Sequence, residues 1–314
     1  MQNINRLFSR DGIWLALHWI CINTFIKRII PDESFVKLQY RAHCGQSLNL
    51  KNPKTFSEKL NWLKIHDHNP IYTKIVDKIT VKDYVRKIIG NDYIIPTLGV
   101  YSQFDEIDFD LLPNQFVLKT NHSGGSAGVV ICKDKHFFNK NEARKILEKS
   151  LKLDMYYVSR EWPYKNIKRR ILAEKLISND STHNGNNRSS SQFMDLLDYK
   201  FFCFNGVPKF LYVSDYSHNM IQMNLDWSKA DFERVGFSTF DTPPARPKNL
   251  DEMISIASKL SHGIPHVRVD LYNVEGRIYF GEMTLYTGGG NIMFNPNLYN
   301  LIIGSYLDIS KLQS

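Results

Sequence analysis

Three hundred and fourteen residues, 43% hydrophobic and 23% charged, suffice for one large domain or two to three small subdomains around a real core. The 13% aromatic content and the moderate Gly and Pro exclude a disordered, collagen-like or low-complexity chain. Forty Lys and Arg against 32 Asp and Glu leave a net charge of +8. That favours polyanionic partners (nucleotide phosphates, a carboxylate-rich glycan, nucleic acid or an anionic membrane face) without choosing among them.

Cys21, Cys44, Cys132 and Cys203 form no CxxC and have no neighbouring His set, so they read as reduced thiols of a cytoplasmic protein, with no structural metal. Ile13 to Ile26 is the one long apolar stretch, interrupted by His18, Asn23 and Thr24, preceded by Arg6 and Arg10 and followed by Lys27 and Arg28. It falls short of the roughly twenty residues a spanning helix needs. The basic pair also stands where a signal peptide would carry its cleavage site. Two readings stay open: a helix packed on the body of the protein, or an interfacial helix holding a cytoplasmic protein peripherally at the inner membrane surface.

Asp32 to Leu50 reads as helix and then loop. Thr55 and Glu58 form a capping box opening a helix to Ile65. A further helix is predicted from Tyr72 to Ile89, ended by Gly90, with short extended segments at Ile94-Ile95-Pro96 and Leu98 to Tyr101. From residue 115 the period changes to two. Strands are predicted at Phe116 to Lys119, Val129 to Cys132 and Ile171 to Ile177, with a helix at Lys140 to Leu153. Ser178 to Gln192 reads as a mobile surface loop. Tyr199 to Phe204 and Lys209 to Val213 form a hairpin about Asn205-Gly206. Pro243 to Pro247 is a linker, Leu250 to Leu260 a helix and His266 to Thr284 a second hairpin; a glycine triplet and a short helix end the chain. This is α+β with mostly antiparallel hairpins, not a doubly wound fold, and it holds neither a Walker A loop nor GxGxxG.

Two constellations can carry chemistry. Lys119 ends a strand, and Gly124, Gly125 and Gly128 follow, so backbone N–H groups can approach phosphate oxygens; a flexible hairpin loop is the plain alternative. In the second hairpin, Arg268 and Asp270 share a face, with Glu282 and Thr284 on the returning strand. A three-residue loop, Val274 to Gly276, pairs Asn273 with Arg277 and sets Asp270 opposite Phe280, with Glu282 diagonal on the same face. A two-residue loop puts the carboxylates on opposite faces. Together they suit Mg²⁺, which takes oxygen ligands and shares substrate phosphates; a solvated face with an Arg268 ion pair is the alternative. His122 reads either as a phosphate contact or as a solvent-facing loop residue. Arg160 to Lys165 and Lys168 to Arg170 form a basic aromatic patch that grips an anionic glycan or is a solvated face with Trp162 packed. Pro163 argues against a nucleic-acid platform.

Asp77-Lys78 followed by Ile94-Ile95-Pro96, then Lys119, the glycine loop, the strand to Leu176, Arg268-Val269-Asp270 and Glu282-Met283-Thr284, resembles the ATP-grasp superfamily in order. More narrowly, NPKTFSEKLNWLK, EWPYKNIK, DYKFFCFNG, VRVDLYNVEG and YFGEMT resemble the teichuronopeptide-biosynthesis, TupA-like ATP-grasp family over nearly the whole chain. That resemblance implies an ATP-grasp fold, two α+β subdomains clasping ATP after an N-terminal helical segment. The corresponding divisions are 1–50, 51–114, a glycine-lid subdomain at 115–177 and a metal-bearing subdomain at 178–314.

It implies that Lys78 and Lys119 hold ATP phosphates and that the loop Ser123 to Gly128, including Gly124 and Gly125, closes as a lid. Glu174, Lys175 and Leu176 line the adenine. Asp270 and Glu282 bind Mg²⁺, with Thr284 where many members carry Asn. Arg268 meets the γ-phosphate or acyl phosphate, Lys200 phosphate or substrate, and Gly288, Gly289 and Gly290 offer backbone N–H groups to the reacting carboxylate. The implied function is an ADP-forming carboxylate–amine ligase joining an amino acid to a hexuronic acid of a bacterial surface polysaccharide, capsule or O-antigen, with no nucleic-acid partner. The alternatives are a glycosyltransferase, for which Asp108-Phe109-Asp110 is an unconvincing DxD, and a non-catalytic glycan- or membrane-binding protein with a vestigial ATP site.

Overall fold

The computed structural model describes residues 10–125, 127–178, 196–217 and 219–312; Arg6, Ser126 and all of the predicted mobile loop beyond Ser178 lie outside them.

The chain begins with α1 (Arg10–Asn23), α2 (Ile26–Ile29) and α3 (Asp32–Cys44), which pack around Cys21, Phe35, Val36 and Tyr40. Arg160, 2% exposed, fastens this segment to the body. Its guanidinium pairs with Asp32 at 2.8 Å, donates to Lys27 O at 2.5 Å and lies 4.3 Å from the Phe35 ring centroid. Ile13, Leu17, Trp19, Phe25 and Ile29 stay exposed. No helix among the described residues is long and apolar enough to cross a membrane.

The capping box forms as expected: Thr55 accepts from Glu58 N, Glu58 accepts from Thr55 N, and α4 runs Phe56–His66. The single helix expected from Tyr72 to Ile89 is two, α5 (Ile71–Val76) and α6 (Val81–Ile89). Asp77 breaks it by taking an extended backbone, ψ 113°, while its carboxylate accepts from Ile79 N at 2.8 Å. Such a side-chain cap competes with the helical ladder. The break frees Lys78 N to donate to Asn121 O at 3.0 Å, which seats Lys78 beside the glycine loop.

Strands β1 (Thr97–Tyr101), β2 (Phe116–Thr120), β3 (Val129–Cys132) and β4 (Ile171–Lys175) form an antiparallel sheet in the order β1-β4-β2-β3. Helix α7 (Lys140–Leu151) seals one face with Ala143 and Leu147 against Phe116, Leu118, Ile171 and Ala173. Alternation then puts Lys119 and Glu174 on the other face. A short helix, α8 (Met155–Ser159), precedes β4.

The second sheet is larger. Its strands β5 (Asp198–Phe204), β6 (Val207–Ser214) and β7 (Met220–Asn224) are followed in sequence by the short β8 (Glu233–Arg234) and α9 (Leu250–Ser261). Strands β9 (His266–Val274) and β10 (Arg277–Thr284) complete it in the order β10-β9-β5-β6-β7. Met253, Ile256, Ala257 and Leu260 of α9 fill the core with Phe201, Leu211, Val267 and Val269. Strand β11 (Phe294–Asn295) pairs with β8, and α10 (Tyr299–Tyr306) closes on the start of α4. There Gly304 permits contact that a Cβ would not, since the Cβ would stand 2.2 Å from Lys54 O. All four cysteines are free thiols, and only Cys44 is not fully buried.

The second hairpin corrects the sequence reading. The turn holds two residues, Glu275 and Gly276, at φ 52° and 87°, so Arg277 pairs with Val274 rather than with Asn273. In an unbroken ladder this would turn Glu282 away from Asp270. A β-bulge at Gly281 adds the missing residue, and Glu282 pairs directly with Asp270, which does not face Phe280. A glycine is needed there because a Cβ would lie 3.0 Å from Asp270 O and 3.1 Å from the Tyr272 ring.

Candidate active site

Paired residues of an antiparallel ladder share a face. Glu282 pairs with Asp270, Asp270 with Lys200, Lys200 with Tyr212 and Tyr212 with Gln222. One polar row therefore crosses all five strands on the face opposite α9.

At its left end the charges are tightly linked. Arg268 donates to both oxygens of Asp270 at 2.6 Å and to Glu282 at 3.0 Å. Lys200 pairs with Asp198 and with Asp270, the latter at 3.3 Å. Thr284 Oγ1 donates to Glu282 at 3.3 Å. Burial works to raise Glu282, but Lys78, Arg268 and Lys200 outweigh it and hold the carboxyl at about 2. Burial, with Asp270's charge, lifts Asp198 to about 6 against the pull of Lys200.

Lys78 joins this cluster to the glycine loop, donating to Ser123 O at 2.6 Å while standing 3.5 Å from Glu282. On the small sheet, Glu174 is clamped between Lys119 and Lys82, each at 2.5 Å. Desolvation of the buried carboxylate raises its pKa, yet the two ammonium groups bring it below the ordinary value. Lys82, not among the residues the sequence singled out for the site, also donates to Ile95 O and Thr97 Oγ1 at 2.8 and 2.7 Å. Its signal was the spacing: Lys78 and Lys82 lie four residues apart, one at the helix break and one in the first turn of α6.

The structure thus brings together Lys78, Ser123, Arg268, Asp270, Glu282, Thr284 and Lys200, and separately Lys82, Lys119 and Glu174. Gly124 and Gly125 are exposed, with nothing within 4 Å of a Cβ built on either; Gly128 is packed, its Cβ position 2.2 Å from Ser150 Oγ. Lys175 is exposed and Leu176 half-buried, with Lys175 N donating to Pro96 O at 3.0 Å. One expectation needs correcting: the N–H of Gly289 is donated to Tyr286 O at 2.8 Å and so closes a left-handed turn instead of facing a substrate.

His122 takes neither of its two expected roles. It is 2% exposed, its Nε2 lies 3.1 Å from Leu153 O, and burial lowers its pKa, so it pins the loop to the end of α7. The basic patch is largely structural. Arg160 is buried, Trp162 stacks on His68 at 4.9 Å between ring centroids, and Arg169 pairs with Asp154 at 2.7 Å.

The model of the TupA-like ATP-grasp family matches residues 58–308. The chain belongs to that family. Its α+β architecture is the ATP-grasp fold, built from the two antiparallel sheets whose facing polar groups have just been described. No curated protein matches the sequence. Among solved structures, it is similar to N5-carboxyaminoimidazole ribonucleotide synthetase in an ADP complex, at 14% identity and a TM-score of 0.40, over 73% of this chain and 50% of that one. It is similar to the D-alanine–D-alanine ligase of Bacillus anthracis, at 17% identity and TM-score 0.39, over 76% and 64%. The corresponding Helicobacter pylori ligase gives 16% and 0.40, over 82% and 70%. The chain spans 50% and 64% of the first two relatives' length.

The donor set fits a magnesium ion in kind: two carboxylates, Asp270 and Glu282, paired across the ladder, and the hydroxyl of Thr284. Hard oxygen ligands supplemented by phosphate oxygens are what Mg²⁺ takes. Among the described residues no cluster of three or more His, Cys, Asp or Glu stands ready as a self-sufficient metal cage.

Proposed function

We propose that this TupA-like ATP-grasp protein is an ATP- and Mg²⁺-dependent carboxylate–amine ligase, ADP-forming, that joins the amine of an amino acid to the carboxylate of a hexuronic acid in a bacterial surface polysaccharide, capsule or O-antigen. The observation that carries the reading is Lys78, which touches the glycine loop and the Asp270–Glu282–Arg268 cluster at once.

In this reading Lys78, Lys119 and the loop Ser123 to Gly128 hold the phosphates, displacing the pairs these lysines now make with Glu282 and Glu174. Glu174 to Leu176 line the adenine. Asp270, Glu282 and Thr284 hold Mg²⁺, which when bound neutralises charge on the transferring phosphoryl oxygens. Arg268 and Lys200 stabilise the same charge as the substrate carboxylate attacks the γ-phosphate, ADP departs and an acyl phosphate forms. The amine then displaces phosphate to leave an amide. A loop closing over the site shields the acyl phosphate from water. Asp108 and Asp110 flank a buried Phe109 on an exposed loop and favour no glycosyltransferase reading.

The exposed apolar side chains of α1 and α2 beside Lys27 and Arg28 support a further element of the reading, peripheral contact with an anionic inner-membrane face. Failure to float with anionic vesicles removes it.

The test is ADP and phosphate release from ATP and Mg²⁺ with glucuronic or galacturonic acid and a pool of amino acids, with mass spectrometry following the product. Amine-dependent ADP formation and an amide, both lost in Glu282→Gln, support the ligase. No turnover with any carboxylate, but UDP release from a nucleotide sugar, sinks it.

A further inference from the structure

Beyond the linked charges at the left of the polar row stands a cation with no counter-charge. Arg234 lies in β8, hydrogen-bonded through its backbone neighbours to the segment that follows the glycine triplet: it pairs with Phe294, and Val235 N donates to Met293 O at 2.9 Å. Its Nη2 lies 2.9 Å from where a Cβ on Gly288 would sit, and Gly288 has φ +61°. Glycine takes this left-handed conformation without strain, and its missing Cβ leaves the guanidinium its place.

The guanidinium rests over Phe237 at 4.4 Å and, among the described residues, has no carboxylate within ion-pair distance; its buried Nε has no hydrogen-bond partner. Two further polar atoms nearby in the fold are also orphaned. Tyr212 is wholly buried in the polar row, its Oη has no partner, and it lies within electrostatic reach of Arg234 and Arg268. Thr287, adjacent to Gly288, has a buried Oγ1 with no partner.

Arg234 is half-buried with its Nε enclosed, Tyr212 and Thr287 are fully buried, and buried polar atoms left without partners are costly enough that each calls for a reason, a bound ion or ligand among them. The planar guanidinium fork takes a carboxylate or a phosphate bidentately and a phenol adds a third donor; with the ATP phosphates given to Lys78, Lys119 and the glycine loop, the anion left for this site is a carboxylate. We propose that Arg234, Tyr212 and Thr287, beside Gly288, form the docking site for an organic carboxylate of the substrate. The assignment deepens the ligase reading and rests on it: in that reading Arg268, paired with Asp270 and Glu282, serves the γ-phosphate, so the cation beside the glycine triplet is the one left to hold the acid for attack.

The test uses the full chain, thermal unfolding in chloride buffer, and acetate, galacturonate and L-alanine as probes, each against matched potassium chloride. Arg234→Gln is compared with wild type. Wild-type stability rises saturably with a carboxylate, and the apparent affinity falls about tenfold or more in the variant, as for a lost charge-assisted pair. A response to galacturonate assigns the site to the acid substrate; a response to alanine alone assigns it to the amino acid's own carboxylate. In carboxylate-free buffer Arg234→Gln is no less stable than wild type, because it removes an uncompensated charge. Equal responses in both proteins, no response in either, or a marked loss of stability without ligand overturns the site. Titration with a non-hydrolysable ATP analogue and Mg²⁺ separates the two ideas: no nucleotide binding in wild type refutes the ligase reading, whatever acetate does.

Discussion

Replacing Glu174 by Gln tests the arrangement of the small sheet most directly. Glu174 is 3% exposed and neutralises two ammonium groups at 2.5 Å each, from Lys82 and Lys119. Glutamine keeps the shape and removes the charge, leaving two lysines facing one neutral side chain. Breaking a buried pair by deleting one partner costs about 3–5 kcal/mol, mostly the penalty of the charges left behind. At roughly 2–4 °C per kcal/mol for a chain of this order, the melting temperature should fall by about 6–20 °C. If the stranded ammonium groups are the cause, removing one of them should help, so Lys82→Met in the Glu174→Gln background should recover stability instead of adding to the loss. A double-mutant cycle by urea unfolding measures this coupling. Nucleotide supplies the complementary check, since ATP phosphates should stabilise Glu174→Gln more than wild type by replacing the missing negative charge. A Glu174→Gln protein within about 1 kcal/mol of wild type, or a double variant at the additive sum, refutes the account.

Glu282 gives a pH-dependent counterpart. Its folded pKa of about 2 lies below the ordinary 4.5, so its contribution is present above the unfolded value and is lost as pH falls towards 2. The difference amounts to about 3 kcal/mol. Wild type and Glu282→Gln should therefore differ by that amount at pH 7 and converge near pH 2 in acid-unfolding series. At the bulge, Gly281→Val should cost about 1–3 kcal/mol through contact with Asp270 O. Deleting Gly281 should instead leave Glu282 opposite Asp270, because the two-residue turn then feeds a regular ladder. Mg²⁺-dependent nucleotide binding should survive the deletion better than the substitution. Thr55→Ala should lose about 1 kcal/mol with the capping box, seen as a shifted denaturation midpoint at unchanged slope.

Local signals in the sequence were strong enough to place most elements: the Thr55–Glu58 box, the Asn205-Gly206 turn and the two-residue periodicity of β2, β5 and β9. What escaped was governed by competition between local and tertiary choices. Asp77 carries a helical neighbourhood on both sides, and only its side chain's bond to Ile79 N and the Lys78–Asn121 link split the helix. In the second hairpin, a three-residue loop and a two-residue turn with a bulge both bring Asp270 and Glu282 to one face, so the functional constraint could be read while the mechanism that satisfies it could not. The glycine at 281 was the available clue, since a glycine inside a strand commonly marks a bulge.

Charge pairing was the least legible property of all. Lys119 and Glu174 were recognisable as separate site residues, but their direct contact, and the entry of Lys82 as the third partner, depend on strands 55 residues apart in sequence being neighbours in the sheet. The same limit hid Arg234, which sits in a segment of no evident periodicity and becomes notable only when Lys78, Lys200 and Arg268 are each seen to have an acidic partner. In the nucleotide-free state the lysines are held by Glu174 and Glu282, the groups from which phosphate would have to win them. Binding is then an exchange of counter-charges, so its affinity should depend on the carboxylates that compete with ATP as much as on the lysines that receive it. Neutralising Glu174 should accordingly tighten nucleotide binding even as it weakens the fold; calorimetric titration that finds weaker binding in Glu174→Gln would show that its part in lining the adenine outweighs its competition for the lysines.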